Sequence, residues 1–227
     1  MVALGVVALI LLALTLDFAV ERLPVRASAR ISDRVPAWLD REVPAGTLLD
    51  PAHVWLRREA GDQVRVGGDG FAAALLGKPE RVEVPAGGDH IDCGEPLAVL
   101  SRQGRSITLR SPVSGVLVER NALIDAQVTA TDPFGSGWLA VVRPANQLSE
   151  EGRVRAEQAH DWLSAEWERI RDFVLDSARG PAVLGATMPD GGPLQPGFLV
   201  HVQKPAVRAV ENAFFGVAGP VTHGEGL

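Results

Sequence analysis

The sequence predicts a mainly β protein: a small barrel or sandwich with a C-terminal amphipathic helix, one N-terminal transmembrane helix before it and an extended tail after it. Three observations predict this. Short β-type runs recur across residues 53–148, broken by turn residues. One apolar stripe at helical spacing runs through residues 149–179. An almost unbroken apolar run occupies residues 1–20.

The N-terminal run, Val2 to Val20, is interrupted only by Thr15 and Asp17. As a helix rising ~1.5 Å per residue it would span about 28 Å, close to the hydrocarbon thickness of a bilayer. A signal peptide is the competing reading, with Ala27-Ser28-Ala29 resembling a cleavage site. No basic residue precedes the run, and its length favours a retained anchor. Arg22, Arg26, Arg30 and Arg34 follow it, so the positive-inside rule puts the bulk of the chain on the cytoplasmic side of the inner membrane, with the N-terminus outside. Asp17 is a candidate contact to other membrane helices.

Residues 21–52 hold Pro24, Pro36, Pro44 and Pro51 amid mixed charge and read as a linker, with Trp38 free to dock onto a partner. Between 53 and 148, alternation at Val64/Val66, Val82/Val84 and Val116/Val118 marks half-buried strands. A short helix is expected over Gly70 to Lys78. The stripe of the later helix comprises Ala156, Ala159, Trp162, Leu163, Trp167, Ile170, Phe173 and Val174, and Ser149 is its expected cap. Residues 180–227 are rich in Gly and Pro and read as an extended tail with one strand at Phe198 to Val202. Phe198, Phe214 and Phe215 make that tail too apolar to be solvated, so it is expected to bind a partner.

The net charge of -6 argues against nucleic acid as a partner. The single cysteine, Cys93, excludes an intrachain disulfide and is expected to be a small apolar residue at a strand start. No His-x-x-x-His or Cys-x-x-Cys pair supports a metal site. Of the 22 basic residues only Lys78 and Lys204 are lysine, so amine chemistry has two candidates.

Three motifs, in order, resemble the H protein of the glycine cleavage system across residues 50–143. They are "DPAHVWLRREAGDQVRVGGDGFAAALLG", "ERVEVPAGGDHIDCGEPLAVLSR" and "SPVSGVLVERNALIDAQVTATDPFGSGWLAVVRP". The resemblance implies a lipoyl-type barrel-sandwich hybrid. In it Gly135 and Gly137 would supply unusual backbone angles, and Trp138 would anchor the last strand in the core. It also implies a hairpin tip whose lysine forms an amide with lipoic acid. Here that place falls at Gly104, flanked by Gln103 and Arg105. Arginine keeps its proton and is no acylation nucleophile. The expectation is therefore no lipoylation, no cofactor and no catalysis.

The function expected from these features is that of a non-catalytic accessory subunit. It would stabilise a multi-subunit membrane complex, respiratory or photosynthetic, through contacts with the other subunits and the lipid bilayer. The alternative is a carrier or docking protein linked to lipoyl-dependent chemistry, the carrier form modified at Lys78 or Lys204.

Overall fold

The computed structural model describes residues 38–84, 90–178 and 194–216. The apolar run at Val2–Val20, with Asp17, lies outside the described residues. Among those described, no helix is long and apolar enough to cross a membrane.

Among the described residues ten strands form two antiparallel sheets. β1 (Thr47–Asp50), β2 (Val54–Arg58), β3 (Val64–Gly68), β5 (His90–Ile91), β8 (Gly115–Arg120), β9 (Trp138–Pro144) and β10 (Val154–Arg155) make a 7-stranded sheet in the order β10-β1-β2-β3-β9-β8-β5. β4 (Arg81–Glu83), β6 (Pro96–Arg102) and β7 (Arg105–Arg110) make a 3-stranded sheet in the order β4-β6-β7. The inner faces hold Leu56, Val66, Leu100, Ile107 and Leu109, all buried. This is the mainly β fold that the recurring runs predict; Val64 and Val66 are buried on one face, as their alternation predicts, whereas Val116 and Val118 of β8 are exposed.

Trp55 is the large side chain at the centre of the first sheet and is fully buried. Its indole lies over Gly67, its cross-strand partner, where a Cβ would meet the ring at 2.6 Å. Its Nε1 donates to the carbonyl of Pro133 at 3.0 Å, so the buried polar atom is satisfied. Trp138, expected in the core, is only half-buried, with the Arg65 guanidinium 4.9 Å from its ring centroid. Gly135 and Gly137 do not have positive φ. They are glycines for want of space: a Cβ would meet the Asp132 carboxylate at 2.5 Å and the Asp132 carbonyl oxygen at 2.6 Å.

The helices differ in extent from their sequence signals. α1 (Phe71–Leu76) matches the expected short helix and is wholly buried. α2 (Ala126–Thr131) was not anticipated; the Asp125 carboxylate caps it by accepting from Val128 N at 2.7 Å. α3 (Ala159–Ala178) begins ten residues after Ser149. Gly152 takes a left-handed turn, and Val154-Arg155 pair with β1 instead of joining the helix. The Ser149 hydroxyl accepts from Glu151 N in that local turn. Within α3 the predicted stripe holds, with Ala159, Leu163, Trp167, Ile170 and Val174 buried and Trp162 and Phe173 half-buried, whereas Ala156 falls in a 3-10 turn before the helix.

Two segments expected outside the body are part of it. Leu39 is buried, Trp38 packs edge-on against Phe71 and Trp167 at 5.9 and 5.8 Å, and the linker's end forms β1. The tail is not extended where it is described. A 3-10 turn at Phe198–His201 replaces the expected strand, and α4 (Lys204–Phe214) follows. Ala206, Val207, Val210 and Phe214 fall on one helical face, and Pro205 suits the first turn. Phe198, Phe214 and Phe215 are core residues, which corrects the expectation that a partner covers them. Trp38 likewise packs within the chain.

Candidate functional site: the β6–β7 hairpin tip

The pairs Ser101↔Ser106 and Arg102↔Arg105 close the hairpin and leave a two-residue loop, Gln103-Gly104. Both residues have positive φ, 48° and 71°. That is the conformation a type I′ hairpin turn demands, and its twist matches that of the strands. Glycine meets the demand freely at 104, whereas Gln103 holds a left-handed conformation at some cost. Nothing lies within 4 Å of where a Gly104 Cβ would stand, so the tip projects.

Both sides of the tip are tied to neighbouring segments. On one side Glu80 N donates to Ser101 O at 2.9 Å, and the Glu80 carboxylate accepts from Gln103 N at 3.3 Å. Arg102 Nη1 donates to Leu76 O at 3.3 Å, its guanidinium filling the space beside Gly77. On the other side Arg105 Nε donates to Val202 O at 2.9 Å. Glu211 of α4 accepts from Thr108 N at 3.0 Å, capping a donor of the edge strand β7. None of Gln103, Gly104 or Arg105 offers a nucleophilic amine. Lys78 and Lys204 are both exposed, each two residues beyond a carbonyl that receives one of the hairpin arginines.

A second polar constellation lies inside the core. His53, at φ 62°, is fully buried, and its Nδ1 is 2.8 Å from Asp69 Oδ2. Asp69 Oδ1 also accepts from Phe71 N at 2.9 Å, orienting the start of α1. The imidazole stacks on Phe71 with centroids 3.9 Å apart. Its Nε2 faces Glu166 Oε2 of α3 at 3.7 Å, too far for a hydrogen bond but within ion-pair range. Arg169 binds the same carboxylate and lies over the Phe214 ring, 4.0 Å from its centroid. Burial opposes a charge on His53, but Asp69 and Glu166 outweigh it and hold its pKa above the ordinary value. Burial likewise opposes the Glu166 charge, and His53 and Arg169 overcome it, so its pKa is lowered. Sequence reasoning missed this network because its members are far apart in the chain.

Cys93 is exposed in the turn between β5 and β6 rather than at a strand start; partial desolvation of its sulfur, and then Asp50, raises its thiol pKa above the ordinary value. Among the described residues no cluster of His, Cys, Asp and Glu could hold a metal ion.

The glycine cleavage H-protein family model matches residues 48–166, more than half of the chain. The chain belongs to the glycine cleavage H-protein family. A glycine cleavage system H protein of Pseudoalteromonas translucida is 33% identical over 117 residues, covering 51% of this chain and 91% of the relative. One from Neisseria meningitidis serogroup C is 32% identical over 122 residues, covering 53% and 95%. The crystal structure of a glycine cleavage system H protein from Mycobacterium marinum matches with a TM-score of 0.47 and 28% identity, covering 54% of this chain and 99% of that one. The family match contains His53, Asp69 and the hairpin and ends at Glu166; α4 lies beyond it.

Proposed function

We propose that this H-protein family member is a non-catalytic docking protein of lipoyl-linked chemistry, one that presents the family's scaffold without carrying an arm. The observation that carries the reading is the Gln103-Gly104 turn. It sits on a scaffold that keeps the family's motifs, is held from both sides, and has no amine to acylate. Family membership favours lipoyl-linked chemistry over the accessory role in a respiratory or photosynthetic complex.

The test has two parts. Intact-mass measurement of the chain made with a lipoylating enzyme should return the unmodified mass; a gain of one lipoyl group would make it a carrier. The unmodified chain should bind purified glycine cleavage proteins in a sedimentation assay, and no binding would reject docking.

The apolar run at Val2–Val20 supports a second, separable proposal: the docking protein is held at the cytoplasmic face of a membrane, where other membrane subunits are neighbours. Carbonate extraction of membranes should leave the full chain in the pellet and release a chain beginning at Trp38. Release of both would reject the anchor.

A further inference from the structure

Four cations lie on three segments that meet at the hairpin: Arg102 and Arg105 on the hairpin itself, and Lys78 and Lys204, each two residues beyond a carbonyl that one of those arginines holds. Arg102 and Arg105 are fixed by donating to the carbonyls of Leu76 and Val202. A carbonyl orients a guanidinium without cancelling its charge. None of the four forms an ion pair with a described carboxylate. The two carboxylates that touch the hairpin, Glu80 and Glu211, accept from the backbone amides of Gln103 and Thr108 and keep their charge, so the four cations outnumber them two to one.

We infer that this cationic collar is a docking surface for an acidic protein surface, which names the partner chemistry of the proposed docking reading and rests on it. The chain as a whole carries a net charge of -6, so an acidic partner is repelled by most of its surface and attracted here. Such a local reversal of sign orients an encounter, and its effect falls as salt rises.

The turn between the two arginines projects, with nothing within 4 Å of where a Gly104 Cβ would stand, which suits an extended partner surface better than a small anion. A bilayer is the poorer match. Glu80 and Glu211 are interleaved with the cations and would be repelled by a uniformly negative surface, whereas a protein can place its own charges to suit. The large apolar side chains exposed among the described residues, Val116, Val118 and Leu123, lie on β8 and the turn after it, not at the tip.

The test uses the full chain and two fluorescein-labelled peptides, one alternating Glu and Ser and one with Gln in place of Glu. Anisotropy should show the acidic peptide binding in preference to its neutral counterpart and weakening from about 50 to about 250 mM salt. Replacing both lysines (Lys78→Gln with Lys204→Gln) should weaken that binding about fivefold, while the charge-matched Arg155→Gln with Arg171→Gln should leave it unchanged. Equal weakening by the two variants, no preference for the acidic peptide, or lysine-dependent binding to phosphatidylglycerol vesicles in place of the peptide would overturn the collar. Failure here is distinct from failure of docking itself. If the lysine variant binds glycine cleavage proteins as the parent does, the collar is wrong and docking stands. If the parent binds none of them yet keeps lysine-dependent peptide binding, docking in glycine cleavage is wrong and the collar stands.

Discussion

His53 and Asp69 are joined side chain to side chain at 2.8 Å, both inside the core, across 16 positions of sequence. Asp69 also receives the amide of Phe71, so one carboxylate aligns the imidazole and the first helix together. Asp69→Asn keeps the shape and removes the charge facing a buried imidazole. Breaking a buried pair by removing one partner costs about 3–5 kcal/mol. Urea unfolding should show a loss of that order, and a loss under ~1 kcal/mol would mean that water or another group replaces the carboxylate.

The same network sets a pH window. His53 has a raised pKa, so its contribution is complete below the unfolded value of 6.5 and is lost as pH rises through the folded value. Glu166 has a lowered pKa, so its contribution is complete above 4.5 and is lost as pH falls through the folded value. The pair should therefore stabilise most between pH 4.5 and 6.5. Urea midpoints from acid to mild alkali should show Glu166→Gln least stable relative to the parent inside that window. A constant difference at every pH would contradict the assignment.

The tip should accept a lysine where the backbone already tolerates a side chain. Gln103 holds φ 48° with a full side chain, so Gln103→Lys should leave the melting temperature nearly unchanged. Gly104→Lys puts a Cβ at φ 71° and should cost about 1 kcal/mol, although the space is open. With a lipoylating enzyme present, Gln103→Lys should gain one lipoyl mass. If it gains none, the hairpin has lost more than the lysine.

Phe215 is fully buried against His53 and Phe71, at centroid distances of 5.3 and 6.0 Å. Phe215→Ala should destabilise by about 3–5 kcal/mol, as aromatic truncations in cores do. It should also loosen α4 locally. Trypsin should cut slowly after Arg208, an exposed residue within that helix, in the parent and faster in the variant. Rapid cutting of the parent would mean that the helix is not held on the barrel.

The hairpin was legible in the sequence because the family resemblance placed its tip at Gly104 and a two-residue turn needs only local chemistry. α4 was half legible. Ala206, Val207, Val210 and Phe214 carry a helical spacing, but the surrounding glycines and prolines obscured it. Ser149 looked like a helix cap, yet pairing of Val154-Arg155 with β1 displaced the helix start. A local signal lost there to a tertiary one, because strand pairing satisfies backbone groups that the first helical turn would leave open.

The sequence alone determined the β character, the apolar stripe of α3 and the absence of a lysine at the tip, since each depends on residue type and short-range spacing. Tertiary structure alone decided where the apolar tail goes, which arginines hold the hairpin, and that His53, Asp69 and Glu166 meet. Those relations join residues far apart in the chain, and no period or motif encodes a contact that exists only once two sheets and two helices have closed on one core.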